Sequence, residues 1–174
     1  IIGGAAIGAA TAAILYDSRS PKKIMADEDI SRQILLVLNQ NEQIKQQTHL
    51  VVSTYHGIVL IAGQAPTEEL KQSIEKAIKT VPDIKRLYNA ITIEGPTSIL
   101  TRTSDAWITA KIKTKLMNTS QLKSGQFKVV TENGIVYLMG IVSQSQEQLA
   151  INEAKTVDGV QKVVTVFSRS PKPI

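Results

Sequence analysis

A nine-residue pattern occurs twice in this chain, and that repeat limits the fold more tightly than composition does. Tyr55-His56-Gly57-Ile58-Val59-Leu60-Ile61-Ala62-Gly63 returns as Glu132-Asn133-Gly134-Ile135-Val136-Tyr137-Leu138-Met139-Gly140. The copies lie about 77 residues apart, so the chain divides into two small modules rather than one larger domain. In each copy a Gly follows a polar residue between two β-rich runs. His56-Gly57 and Asn133-Gly134 therefore read as two-residue hairpin turns, and Asn-Gly is the stronger signal.

The flanks of the two hairpins also correspond. Ile30, Ile34 and Leu38 recur every four residues and predict a helix over Asp27–Leu38, with Asp27 as its candidate N-cap. Ile108, Ile112 and Leu116 predict the matching helix over Asp105–Met117. The strands are expected at Leu50–Tyr55 and Ile58–Gly63, then at Phe127–Thr131 and Ile135–Val142. A second helix follows each hairpin. One starts at Pro66-Thr67 with Leu70, Ile74, Ala77 and Ile78 as its stripe, and the other spans Ser143–Val157. Strands Ile84–Ile93 and Val160–Ser168 close the modules. The class is α+β, each module running helix, strand, strand, helix, strand, with a three-stranded sheet covered by two helices.

This organisation places a leader or tether at residues 1–25, module one at 26–94, a linker at 95–103, module two at 104–168 and a tail at 169–174. Ile1–Leu15 is small and apolar and carries the Gly4/Gly8 spacing, but it is too short to span a bilayer as a helix. Tyr16–Lys23, with Asp17, Ser18, Ser20 and Pro21, reads as turn and linker. Gly95-Pro96-Thr97-Ser98 reads as the break between modules.

Several function classes drop out. The chain has no Cys, so a disulfide framework, a thiolate nucleophile and a Cys-based zinc site are excluded. His49 and His56 lack any helical His/Glu partner spacing for a metal and read as surface groups. No nucleophile elbow and no phosphate-binding Gly loop occurs, so no enzyme and no cofactor is expected. The formal charge of +5 favours acidic partners. With aromatics at only 4% and no nucleic-acid motif, anionic lipid is preferred over nucleic acid.

Because the modules are copies, their surface differences are where function is sought. Trp107, Lys111 and Lys115 follow one another at steps of four, beside the apolar stripe of the second module's first helix. Their counterparts in module one are Asp29, Gln33 and Val37. The only Trp of the chain therefore replaces an acid, and Lys111, Lys113 and Lys115 accompany it. An indole can enter an interface while lysine stems lie along it and their ammonium groups reach phosphate. The same residues are equally compatible with a Trp packed between modules and an ordinary solvated lysine face. Ile99-Leu100 either extends the apolar surface or packs as linker against the sheet.

The modules resemble BON domains. The Gly-Ile-Val hairpins carry the resemblance, together with the closing segments Val81-Pro82-Asp83-Ile84-Lys85-Arg86-Leu87-Tyr88-Asn89 and Val157-Asp158-Gly159-Val160-Gln161-Lys162-Val163-Val164. Module one departs from the pattern, with Pro82-Asp83 in place of an acidic-Gly pair. Asp17-Ser18-Arg19-Ser20, Asn41-Glu42-Gln43-Ile44-Lys45 and Ser104-Asp105-Ala106-Trp107-Ile108-Thr109-Ala110-Lys111 make the chain similar to the tandem-BON lipoproteins of the Gram-negative outer membrane. That resemblance implies a periplasmic protein tethered to the inner leaflet of the outer membrane through a lipidated Cys upstream of Ile1. It implies binding of anionic phospholipid, of phosphatidylglycerol or cardiolipin type, through the first helix of the second module. It also implies support of envelope integrity, with outer-membrane assembly, cell-division or other envelope proteins as partners. The lipid-binding set expected on residues and resemblance together is Leu100, Trp107, Ile108, Lys111, Ile112 and Lys115. The alternative is a soluble periplasmic protein-interaction or chaperone-like module, without lipid, presenting exposed strands or the acidic Asp27-Glu28-Asp29 face of module one.

Overall fold

The computed structural model describes residues 18–122 and 124–169. The readings of Ile1–Leu15 as apolar leader and of the last residues as basic tail fall largely outside that range. The chain forms two units, one built on Ser20–Ser98 and the other on Ile99 onward.

The first unit runs α1 (Pro21–Asn39), α2 (Glu42–Gln47), β1 (His49–Tyr55), β2 (Ile58–Ala65), α3 (Glu68–Ile78) and β3 (Arg86–Ile93). Its sheet order is β1-β2-β3, with β2 central, antiparallel to β1 and parallel to β3. The parallel pair follows from the α3 crossover, since parallel strands cannot be joined by a tight turn. Ile30, Ile34 and Leu38 of α1 pack with Leu70, Ile74 and Ile78 of α3 over Val59, Ile61 and Ile91 of the sheet.

The second unit repeats this with α4 (Ile99–Asn118), a short 3-10 turn at Ser124–Gln126, β4 (Phe127–Glu132), β5 (Ile135–Val142), α5 (Gln144–Lys155) and β6 (Lys162–Arg169). Its order is β4-β5-β6 with the same antiparallel and parallel pairings. Ile108, Ile112 and Leu116 pack over Val136 and Leu138 with Ala150 and Ala154. A capping box, Ser143 with Gln146, starts α5.

Both hairpins are the two-residue turns expected. His56 and Gly57 have φ of 51° and 77°, and Asn133 and Gly134 have 52° and 76°. Two successive positive φ values match the twist of the flanking strands. Asp83 adopts φ 68° where the second unit has Gly159 at 90°. The Pro82-Asp83 departure therefore leaves the turn intact, because Asp tolerates the left-handed region better than most residues.

Two helix starts and one short helix depart from expectation, for local reasons. The first helix begins at Pro21, not Asp27. Ser20 caps it by accepting from Lys23 N at 3.2 Å, and Pro21 fits the first helical turn, where no N–H is needed. The Ser20-Pro21 pair read as linker is thus a helix start, and Lys22 and Lys23 are helical. In the second unit Ile99–Thr103 is helix rather than linker, with Thr103 Oγ1 donating to Ile99 O at 2.9 Å. The short α2 was not expected. Asn41 caps it through Gln43 N and Ile44 N, and buried Ile44 anchors it.

Candidate functional site

Asp27 and Asp105, each in the second turn of its helix, have a role that periodicity does not reveal. Asp27 is not an N-cap. It lies buried in α1, and its carboxylate accepts from His56 N at 2.8 Å and Gly57 N at 2.9 Å. Asp105 does the same in α4, accepting from Asn133 N at 2.8 Å and Gly134 N at 2.9 Å. Each carboxylate takes the two turn N–H groups that a hairpin leaves without ladder partners. A second tie repeats as well: Ser31 Oγ lies 2.7 Å from Thr54 Oγ1, and Thr109 Oγ1 donates to Thr131 Oγ1 at 2.8 Å. These bonds set the rotation of the first helix on its own sheet. The signal was available in the sequence, because an Asp stands three residues before the apolar stripe in both copies.

With the helix so rotated, α4 turns Ile108, Ile112 and Leu116 into the core. Ile108 is 2% exposed and Ile112 0%. Both were counted among the lipid-binding residues, and the packing removes them from that set. They hold α4 on its sheet and have no surface to give to a bilayer. The opposite face is different. Leu100 is 80% exposed, Trp107 49%, and Ile99 and Met117 are exposed beside them. Leu100, Trp107 and Lys111 follow at steps of seven and four, so the structure brings them onto one face. Lys115 is half-buried at the edge of that face. Met117 lies ten residues after Trp107, which is nearly three turns, and helical spacing could have found it.

Lys111 Nζ sits 5.2 Å from the centre of the Trp107 ring, within the range of a cation–π contact. The lysines are not equivalent. Desolvation lowers the pKa of Lys113 below its ordinary 10.5, so its amine is crowded by protein even though the residue keeps exposed surface. The result is an apolar strip with an exposed indole, flanked by ammonium groups.

The corresponding face of α1 has another chemistry. Met25 and Leu36 are exposed there too, but Asp29 stands where α4 has Trp107. Asp29 is already engaged, by Arg32 at 3.3 Å and by Gln33 Nε2 at 2.7 Å. Among the described residues no group of three or more His, Asp or Glu could hold a metal ion. No described helix is long and apolar enough to cross a membrane.

The family model for the BON domain matches residues 26–95 and again 104–169. The chain belongs to the BON-domain family. The chain is 32% identical over 167 residues to the outer membrane lipoprotein DolP of Haemophilus influenzae, covering 96% of this chain and 85% of that protein. It is 34% identical to the 21 kDa hemolysin of Actinobacillus pleuropneumoniae, over 87% of this chain and 78% of that one. It is 30% identical to osmotically-inducible protein Y of Escherichia coli, over 80% and 70%. Among solved structures, a type III secretion protein of Chlamydia trachomatis, CdsD, aligns at 17% identity and a TM-score of 0.34, over 83% of this chain and 64% of that one.

Proposed function

We propose that this protein is a non-enzymatic, envelope-associated phospholipid-binding protein that lays the exposed face of α4 on an anionic membrane surface. The observation that carries the reading is Trp107, exposed beside Lys111 on a helix whose other face is locked into its sheet. The inserting residues are Ile99, Leu100, Trp107 and Met117, and Lys111 and Lys115 meet phosphate. Each lysine near such a surface contributes about 1 kcal/mol, and the indole adds apolar burial. That sum gives weak, reversible docking, which becomes effective when the protein is also tethered. The similarity to an outer membrane lipoprotein supports a periplasmic location with an N-terminal lipid anchor in the inner leaflet of the outer membrane. Envelope and outer-membrane assembly proteins are the partners such a position allows. The acidic-face alternative is weakened: Asp27 is buried under its own hairpin, and Asp29 is satisfied within α1.

The test is Trp107→Glu, assayed on phosphatidylglycerol vesicles. Vesicle affinity falls by at least about tenfold while the circular dichroism spectrum stays native. Unchanged binding by a folded variant discards the reading.

A further inference from the structure

The two modules surround the same carboxylate with different charges. In module one Lys23 Nζ lies 3.8 Å from Asp27 Oδ1, and the Lys85 stem lies against Gly57. Lys22 precedes Lys23 on the same helical turn. The corresponding positions in module two follow from matching bonds. Thr101 stands four residues before Asp105, as Lys23 stands four before Asp27. Gln161 N donates to Gly134 O as Lys85 N donates to Gly57 O, both at 2.9 Å. Lys22, Lys23 and Lys85 thus become Leu100, Thr101 and Gln161, and all three positive charges are gone.

In their place module two has an open cleft of about 270 Å³ between the first turns of α4 and the Asn133-Gly134 turn. Thr101, Ser104 and Gln161 line it, and Gly159 stands where module one has the side chain of Asp83. Asp105 is the one acidic or basic residue in the lining, and it is only 4% exposed. Its carboxylate has two backbone N–H partners and no ion pair among the described residues. A largely buried carboxylate facing a cleft binds a charged donor better than water does, because the surrounding protein screens the pair weakly.

We propose that this cleft is a subsite for a primary ammonium group, delivered by the ethanolamine headgroup of a phospholipid. The sister module already shows an ammonium in this place, that of Lys23. A primary ammonium brings three N–H donors, whereas the quaternary ammonium of choline brings none. The rim chooses a lipid over a free amine: Leu100 lines the cleft and is exposed, and Trp107 continues that exposed apolar face. Only this choice of source rests on the membrane-docking reading; the charge argument stands without it.

The full chain is titrated with phosphatidylglycerol vesicles containing either phosphatidylethanolamine or phosphatidylcholine, at one anionic fraction. The wild type binds the ethanolamine mixture about threefold to tenfold more tightly. The double substitution Thr101→Lys with Gln161→Lys restores two of the three lysines of module one, those at the positions of Lys23 and Lys85. It removes that preference while keeping or strengthening binding to both mixtures, and Thr101→Lys alone moves the ratio the same way. Equal wild-type affinity for the two mixtures overturns the subsite and leaves the docking reading standing. If neither mixture binds, the docking reading fails, and soluble O-phosphoethanolamine followed at the Asn133 and Gly134 amides decides. Shifts that vanish in the double variant uphold an ammonium subsite, and no shifts overturn it.

Discussion

Trp107 and Lys111 are joined by a 5.2 Å contact in which the ammonium covers part of the indole. A bilayer offers each group something better, hydrocarbon boundary for the ring and phosphate for the amine. Lys111→Met therefore separates charge from packing. It lowers vesicle affinity about fivefold, the equivalent of one surface lysine, while the Trp107 emission still shifts to the blue on binding. No blue shift in that variant contradicts insertion of the ring. The buried acids operate at the same scale but serve the fold. Asp27→Asn presents an amide N–H to a turn N–H in place of an acceptor. It destabilises the first module by about 1–3 kcal/mol in urea unfolding, and an unchanged midpoint excludes the latch role.

Elements differ in how their ends are built. Ser20 starts α1 with a capped Pro-containing turn, and its replacement by Ala costs about 1 kcal/mol of first-module stability, measured by denaturant titration. Helix α3 is tied to β3 by Glu75, which meets Lys79 Nζ at 3.0 Å and accepts from Asn89 Nδ2 at 3.0 Å. The bonds to Lys79 and Asn89 lower the Glu75 pKa from its ordinary 4.5. A carboxylate with a depressed folded pKa stabilises above its unfolded value, and that contribution is lost as pH falls through the folded value. Glu75→Gln thus removes this contribution at neutral pH and flattens the acid limb below about pH 4.5, where the two stability curves converge. The effect stays under about 1 kcal/mol, because the pair is largely solvated. An acid limb identical to wild type contradicts the tie.

At the scale of the whole molecule, one frame has been written twice and given two surfaces. Asp29→Trp with Gln33→Lys writes the docking pair of module two onto the exposed face of α1. It raises affinity for anionic vesicles severalfold. No gain in a folded double variant shows that more than this face is required for docking. The sequence alone determined the frame. Period-four stripes, two-residue turns with Gly and a repeat of about 77 residues each express backbone geometry, which local residue choice controls. It also singled out Trp107 and Lys111, because a duplicated background makes a lone substitution visible. Tertiary structure decided what each helix position faces. Asp27 looks like a helix cap until a hairpin about thirty residues away supplies its donors, and Asp105 repeats that bonding. Ile108 and Ile112 join the lipid-facing set on a list of residues and leave it once rotation of α4 is set by those bonds. Contacts distant in sequence leave no period behind, so the cleft beside Asp105 became readable only when Leu100, Thr101 and Gln161 were brought to one turn.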